Sequence, residues 1–337
     1  MTMHFPPRSA RTLALICLVT GIALLAAGCS GSPPVARPDV APGADLSGIE
    51  LRIRTHDGKR RRIALDDYVR GAILPEAALG NLDSDAALRV AQVQAILART
   101  YALSNLDRHA GEGFDLCAST HCQVYRDLED WPSHLVRLAE EAVSSTRNVV
   151  VTHAGHPINA VFHADCGGHT SDADVVWSGA APAYLRGTPD AFCIRDGAAP
   201  WRFETTVSAL RRELNRNART RVGRRLDELV VTHRDPAGRV QRVALRGEHT
   251  VEVRGEQLRA ALVPRFGARS VKSTRFTVRR KGDTVVFEGL GFGHGVGLCQ
   301  IGARARARAG HSPRAILEHY YHGTAVGTTR SRLTQAR

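Results

Sequence analysis

Residues 84–106, SDAALRVAQVQAILARTYALSNL, decide how the rest of the chain is read. Ser84 is a good N-cap residue, and the run behind it holds helix formers with no Gly or Pro. Leu88, Ala91, Ala95, Ala98 and Ala102 recur at spacings of three and four, which makes one face of small residues suited to close helix packing. Arg89, Gln92 and Arg99 share another face. One long helix therefore sits in the first half of the chain, and short strands read outward from it on both sides. Upstream, Leu51–Arg54 and Arg62–Leu65 flank the turn Asp57-Gly58-Lys59, and a helix entered at Asp66 runs to Pro75. Downstream, hairpins are expected around Ala154-Gly155-His156-Pro157 (strands Val149–His153 and Ile158–His163), Asp235-Pro236-Ala237-Gly238 (Leu229–His233 and Val240–Leu245) and Lys281-Gly282-Asp283 (Phe276–Arg279 and Val285–Phe287). Further helices are expected at Val207–Asn217, Arg254–Leu262 and Ser312–Tyr321. Strands and helices mix without a βαβ rhythm and without internal repeats. The fold class is therefore α+β, with a mixed sheet, hairpins and one long helix.

The chain has 337 residues, 43% apolar and 23% charged, enough for one large core or two modest ones. That composition excludes collagen, coiled coil and wholesale disorder. A formal charge of +13 predicts attraction to an anionic partner. Arg8 and Arg11 precede an uncharged apolar run, residues 13–27, that closes on Leu25-Ala26-Ala27-Gly28-Cys29. This reads as a secretory signal, the run being shorter than the roughly 20 residues of a membrane span. Small residues before a Cys resemble the bacterial lipoprotein processing site, where Cys29 would become the lipidated first residue; an uncleaved anchor or an ordinary signal cut is the rival reading. The expected organisation is a signal peptide at 1–29, a Pro/Gly-rich tether at 30–48, a folded domain at 49–328 and a tail at 329–337. Export places the chain in the cell envelope, attached to a membrane through Cys29, and argues against nucleic acid as the anionic partner. The basic runs at 211–225 and at Arg304, Arg306 and Arg308 read as solvated helix faces.

Four segments could carry chemistry. In Tyr68–Glu76 one carboxylate follows an apolar run, where desolvation can raise its pKa as a general acid requires; the plainer reading is a helix residue interacting with the dipole. Cys117, His121 and Cys122, with His109 upstream, offer ligands that suit zinc, and a disulfide is the rival in an exported protein. In His163–Ser171, a bridge from Cys166 to Cys193 or another Cys is preferred to a Cys–His nucleophile. Gly291–Ala303 lacks the spacing of a phosphate loop and supplies His294 and Gln300 on a loop entering a helix.

Taken together, Tyr68–Glu76, Ala95–Tyr101, Thr120–Tyr125, Cys166–Thr170 and Gly293–Ala303 resemble, in order, the SpoIID/LytB family, and Ile316–Thr324 continues the likeness. The family joins the stage II sporulation protein D peptidoglycan enzymes to amidase-enhancer proteins. The resemblance implies a lytic transglycosylase that cleaves the MurNAc-GlcNAc bond of glycan strands stripped of stem peptides. It makes Glu76 the catalytic acid/base, and Arg99, Tyr184, Asp190, His294 and Gln300 the residues that hold the sugar. One carboxyl group suffices for that reaction, so no cofactor is required. A structural zinc would fall on His109, Cys117, His121 and Cys122. Ala77–Asp83 is longer than the family's usual connection between Glu76 and the helix. Two other readings stand beside this one: a glycan-binding enhancer of a cell-wall amidase, and a zinc-dependent hydrolase built on the His/Cys segment.

Overall fold

The computed structural model describes residues 45–328 apart from 78, 178 and 198; the signal segment, Cys29, most of the tether and the tail lie outside the described residues. β1 (Glu50–Arg54) and β2 (Arg60–Ala64) pair antiparallel around the expected turn, and α1 (Leu65–Glu76) follows directly. α1 buries Leu65, Tyr68, Val69, Ala72 and Ile73. Pro75 lies in its last turn and does not end it. A proline lacks the N–H that would bond the carbonyl four residues earlier, here Gly71 O. The Arg126 N–H takes that carbonyl at 3.0 Å. A Cβ on Gly71 would lie 2.3 Å from the Tyr125 ring, so only glycine lets the 125–126 backbone approach.

α2 (Ser84–Ser104) is the long helix. Its N-cap is Asp83, whose Oδ1 accepts from the Ala86 N–H at 2.8 Å, and Ser84 becomes the first helical residue. Ala91, Ala95, Ala98 and Ala102 are fully buried, as the small-residue face requires. Around α2 stand β3 (Leu116–Cys117), parallel to β1, then α3 (Ser133–Ser145), β4 (Val149–His153) and β5 (His156–Pro157). The expected strand Ile158–His163 shortens to β6 (Phe162–His163), because the Asn159 N–H bonds the Tyr184 hydroxyl instead of a neighbouring strand. Two short helices, α4 (Ala173–Val176) and α5 (Ala191–Asp196), precede a segment with a core of its own.

That segment runs through β7 (Trp201–Thr206), α6 (Val207–Leu214), β8 (Leu226–Arg234), β9 (Val240–Gly247), β10 (Val251–Arg254), α7 (Gly255–Phe266), β11 (Phe276–Lys281) and β12 (Thr284–Gly289). The antiparallel sheets β10-β9-β8 and β11-β12-β7 enclose Leu210, Val243, Leu258, Phe276 and Phe287. The chain then returns to the first core: β13 (Leu298–Cys299) pairs parallel with β6, α8 (Gln300–Arg308) and α9 (Pro313–Tyr320) pack on α2, and β14 (Ala325–Thr328) completes the sheet with β4. The architecture is α+β, with helices and several small mixed or antiparallel sheets.

The alternating arginines of α8 are not simply a solvated face: Arg308 is exposed, Arg304 half-buried and Arg306 buried, and all three are bonded within the fold. Arg304 bonds the Gly80 carbonyl, Arg308 bonds the Asn81 carbonyl at 3.1 Å and Asp196 at 2.8 Å, and Arg306 is buried between Asp190 and His319. The extended Ala77–Asp83 connection is thereby tied down from across the fold.

Candidate active site

Glu76 ends α1 at the wall of a cavity of about 740 Å³. Two pieces of chain far away in sequence hold it. The Val124 N–H donates to Oε1 at 2.8 Å, and Gln300, first residue of α8, donates from Nε2 to the Glu76 main-chain carbonyl at 2.7 Å. The Val124 contact follows from Gly71 and Pro75, which let the extended 123–126 segment lie along α1. The other carboxylate oxygen takes no hydrogen bond within the described residues. Burial pushes the Glu76 pKa above the ordinary value, although the Val124 N–H favours the ionised form. Among the described residues that line the cavity, Glu76 carries the one carboxylate.

His294 lines the same cavity, 5.0 Å between ring centres from Trp177. Both its nitrogens are engaged: Nε2 donates to Phe162 O at 3.0 Å and Nδ1 accepts from the Val296 N–H at 3.1 Å. Burial, helped by the Arg239 guanidinium, pushes its pKa down to about 4, so it stays neutral at physiological pH. His294 thus presents a ring face rather than a proton carrier. His163 was not singled out by sequence reasoning. It also lines the cavity, with Nδ1 bonded to Val296 O at 3.1 Å and Nε2 buried without a partner among the described residues. Its signal was the β6–β13 pairing, which no sequence pattern showed.

Arg99, Tyr184 and Asp190, expected to hold the sugar, do not line this cavity. Arg99 is fully buried, because the face it shares with Arg89 and Gln92 turns inward at that level. Its guanidinium bonds Thr146 O at 3.0 Å, Val149 O at 3.3 Å and Asp66 at 3.2 Å. Tyr184 is buried and accepts the Asn159 N–H at 3.1 Å. Asp190, with no exposed surface, caps α5 through the Cys193 N–H at 3.3 Å and accepts the Tyr320 hydroxyl at 2.6 Å. All three are frame residues. The cations on the cavity wall are instead Arg108 and Arg259, the latter from α7 in the second core.

Beside Glu76, the donor atoms of His109, Cys117, His121 and Cys122 lie within 4.8 Å of one another. Cys117 and Cys122 sulfurs stand 3.2 Å apart as free thiols; His109 Nε2 lies 3.3 Å from Cys122 Sγ, and His121 Nδ1 lies 3.6 Å from each sulfur. His109 Nδ1 pairs with Glu112 at 2.6 Å, which turns Nε2 toward the sulfurs. Two thiols with two imidazoles, all within 4.8 Å, offer the donor set of a tetrahedral zinc site, with Glu112 as the outer partner of a ligating His.

These features define an α+β scaffold whose cavity holds, among the described residues, one desolvated carboxyl group beside Arg108 and Arg259, and sequence comparison supplies the family. Residues 55–153 match the family described as SpoIID, stage II sporulation protein, and residues 195–297 match a domain of unknown function, DUF8618. An uncharacterized protein of Brachyspira hyodysenteriae is 30% identical over 266 residues, covering 78% of this chain and 66% of that protein. Stage II sporulation protein D of Bacillus subtilis is 26% identical over 284 residues, covering 81% and 77%. The amidase enhancer of the same organism is 24% identical over 282 residues, covering 71% of this chain and 38% of its own length. The chain belongs to the SpoIID/LytB family.

Proposed function

We propose that the chain is a peptidoglycan lytic transglycosylase of the cell envelope that cleaves the MurNAc-GlcNAc bond, with Glu76 as its single acid/base. The observation that carries this reading is the solitary carboxyl group of the cavity. Ordinary glycosidases need two carboxylates, whereas an intramolecular attack by the muramic 6-hydroxyl needs one. Protonated Glu76 gives its proton to the glycosidic oxygen as the bond to the anomeric carbon breaks. The resulting carboxylate takes the proton of the 6-hydroxyl as its oxygen bonds to that carbon, which closes a 1,6-anhydro ring and restores the acid. Burial shifts Glu76 toward its protonated form, the direction a general acid needs. Gln300 and Val124 position Glu76, Trp177 and the His294 ring offer a stacking surface to a sugar, and Arg108 and Arg259 supply positive charge for the lactyl carboxylate. Zinc on His109, Cys117, His121 and Cys122 would hold the loop whose Val124 N–H bonds Glu76 and would take no part in proton transfer.

The anchor we propose is a lipid on Cys29, and among the described residues no helix is long and apolar enough to cross a membrane. The match to a protein named amidase enhancer favours a second reading, in which the same cleft binds glycan for a partner amidase. One experiment separates the two. Peptide-free glycan strands incubated with the protein and analysed by mass spectrometry should yield 1,6-anhydromuramic ends with wild type and none with Glu76→Gln. Strand binding without cleavage by either protein favours the enhancer reading, and full activity in Glu76→Gln removes Glu76 from the mechanism.

A further inference from the structure

A second cluster of metal-ligating side chains lies away from the His/Cys loop. Cys166, Cys193 and Cys299 come from three separate pieces of chain, each without exposed surface, and their sulfurs with an Asp190 oxygen all fall within 4.8 Å of one another. Cys166 follows β6, Cys193 lies in α5, and Cys299 caps α8.

Backbone amides point at two of the three sulfurs, and the third, Cys193 Sγ, lies 3.1 Å from Asp165 Oδ1. The Gly168 N–H donates to Cys166 Sγ at 3.3 Å, and Cys299 Sγ accepts from the Cys166 N–H at 3.2 Å and the Gly302 N–H at 3.4 Å. Backbone N–H groups aimed at sulfur recur at metal-thiolate centres, where they offset ligand charge. Gly167 and Gly168 take positive φ values of 72° and 109°, which turns the chain around Cys166 and aims these amides inward. A Cβ on Gly302 would lie 2.0 Å from Asp190 Oδ2, so only glycine there lets the carboxylate reach the sulfurs. Asp190 Oδ2 lies 3.7 Å from Cys166 Sγ, and Tyr320 fixes the carboxylate through a 2.6 Å hydrogen bond. Two buried cations balance the charge: Arg306 lies 3.5 Å from Asp190, and Arg239 bonds the Cys166 carbonyl at 3.1 Å.

From this juxtaposition we infer that Cys166, Cys193, Cys299 and Asp190 form a structural zinc site. Three sulfurs in one contact shell exceed what a single disulfide uses. With zinc–sulfur bonds of about 2.3 Å, a tetrahedral centre spaces its sulfurs about 3.8 Å apart. Thiolate ligands select zinc over hard cations, and a closed set of four protein ligands leaves no position for substrate. Binding replaces thiol protons by the metal, releases them to solvent and changes no oxidation state. Gln300 follows Cys299 directly, so the centre would anchor the N-terminus of α8 and, through it, the Glu76 carbonyl.

The test is metal content, which is independent of cleavage activity. The full-length chain is produced with zinc, purified without chelator and measured for zinc by mass spectrometry as wild type, Cys117→Ser/Cys122→Ser and Cys193→Ser/Cys299→Ser. Retention of one zinc per chain in Cys117→Ser/Cys122→Ser is expected, as is loss of one relative to wild type in Cys193→Ser/Cys299→Ser. Cobalt(II) loaded into the Cys117→Ser/Cys122→Ser protein should show a thiolate-to-metal absorption band that falls by a third or more when Cys299→Ser is added. A Cys117→Ser/Cys122→Ser protein that folds and carries no metal overturns the site. So does a peptide map of unreduced wild type in which any two of Cys166, Cys193 and Cys299 are joined, a measurement that needs no variant to fold.

Discussion

Replacing Arg99 by Met separates a frame residue from a substrate ligand. The guanidinium is fully buried and ties three elements to α2: Thr146 O after α3, Val149 O of β4, and Asp66 of α1. Methionine fills the aliphatic stem but leaves the two main-chain acceptors without this donor and Asp66 without its cation. A buried acceptor left unpaired costs about 1–3 kcal/mol, and breaking a buried ion pair by removing one partner costs about 3–5 kcal/mol. These overlap, because the same guanidinium makes all three contacts, and the already unpaired Arg99 Nε is removed in the exchange. The expected loss is therefore about 4 kcal/mol, a large share of a typical folding free energy. Urea unfolding followed by circular dichroism reads the loss. Strand cleavage, assayed at a temperature where the variant is still folded, should stay within about threefold of wild type on the same ~1.4 kcal/mol-per-decade scale. An unchanged unfolding midpoint together with a tenfold or greater fall in kcat/KM would refute the reasoning and return Arg99 to the sugar.

Three further outcomes follow from the geometry around Glu76. Gln300→Ala removes the bond to the Glu76 carbonyl and should lower kcat by up to about 100-fold, with less effect on strand affinity, since misplacement of a reacting group by about 1 Å costs that much; steady-state kinetics on defined glycan strands check it. Burial raises the Glu76 pKa, so its ionised form is disfavoured in the folded state, and this cost appears as pH rises through the unfolded-state carboxylate value and grows until the folded pKa is passed. Glu76→Gln should therefore be more stable than wild type at neutral pH and equal to it at pH values below the ordinary carboxylate range, as measured by paired urea titrations. With zinc on the His/Cys loop as proposed, Cys122→Ser should free the Val124 N–H from Glu76 and lower cleavage at least tenfold, a loss that added zinc does not reverse in the variant.

Much of the scaffold was legible because its signals are local. The small-residue face of α2, the Asp57-Gly58 turn and the hairpins around Pro236-Ala237-Gly238 and Lys281-Gly282 each follow from a few consecutive residues. The family resemblance located Glu76 and Gln300, which the structure brings together, and His294, which shares their cavity. What escaped was long-range. Arg99 reads as a polar face of a helix, and only the packing of α3 and β4 shows that this face is interior. Arg304, Arg306 and Arg308 look solvated until the 79–81 connection and Asp190 are seen beside them. His163 belongs to the cavity through the pairing of β6 with β13, across more than 100 residues, and Arg108 and Arg259 reach it from just past the end of α2 and from α7; a single sequence carries no periodic signal for such meetings.

If Glu76 works alone, as proposed, the five scattered motifs have a positional explanation. Glu76 sits where a helix ends against a cavity, and a helix end has no carbonyl ladder to fix it. Its position is set instead by Gly71 and Pro75, which admit the 123–126 segment, by the Val124 N–H on Oε1, and by Gln300 on its carbonyl. Each of these contacts begins next to a cluster of ligating side chains: Val124 lies two residues past Cys122, and Gln300 one residue past Cys299. Motif residues around such a site are then mostly positional, and substitutions in them should change stability or metal content before they change the chemistry. Polar residues that the resemblance singles out are not all placed to meet a ligand: Arg99, Tyr184 and Asp190 stand away from the cavity, and three of the cleft residues proposed to meet the glycan, Trp177, Arg108 and Arg259, all lie outside the motifs, Arg259 standing on the second core.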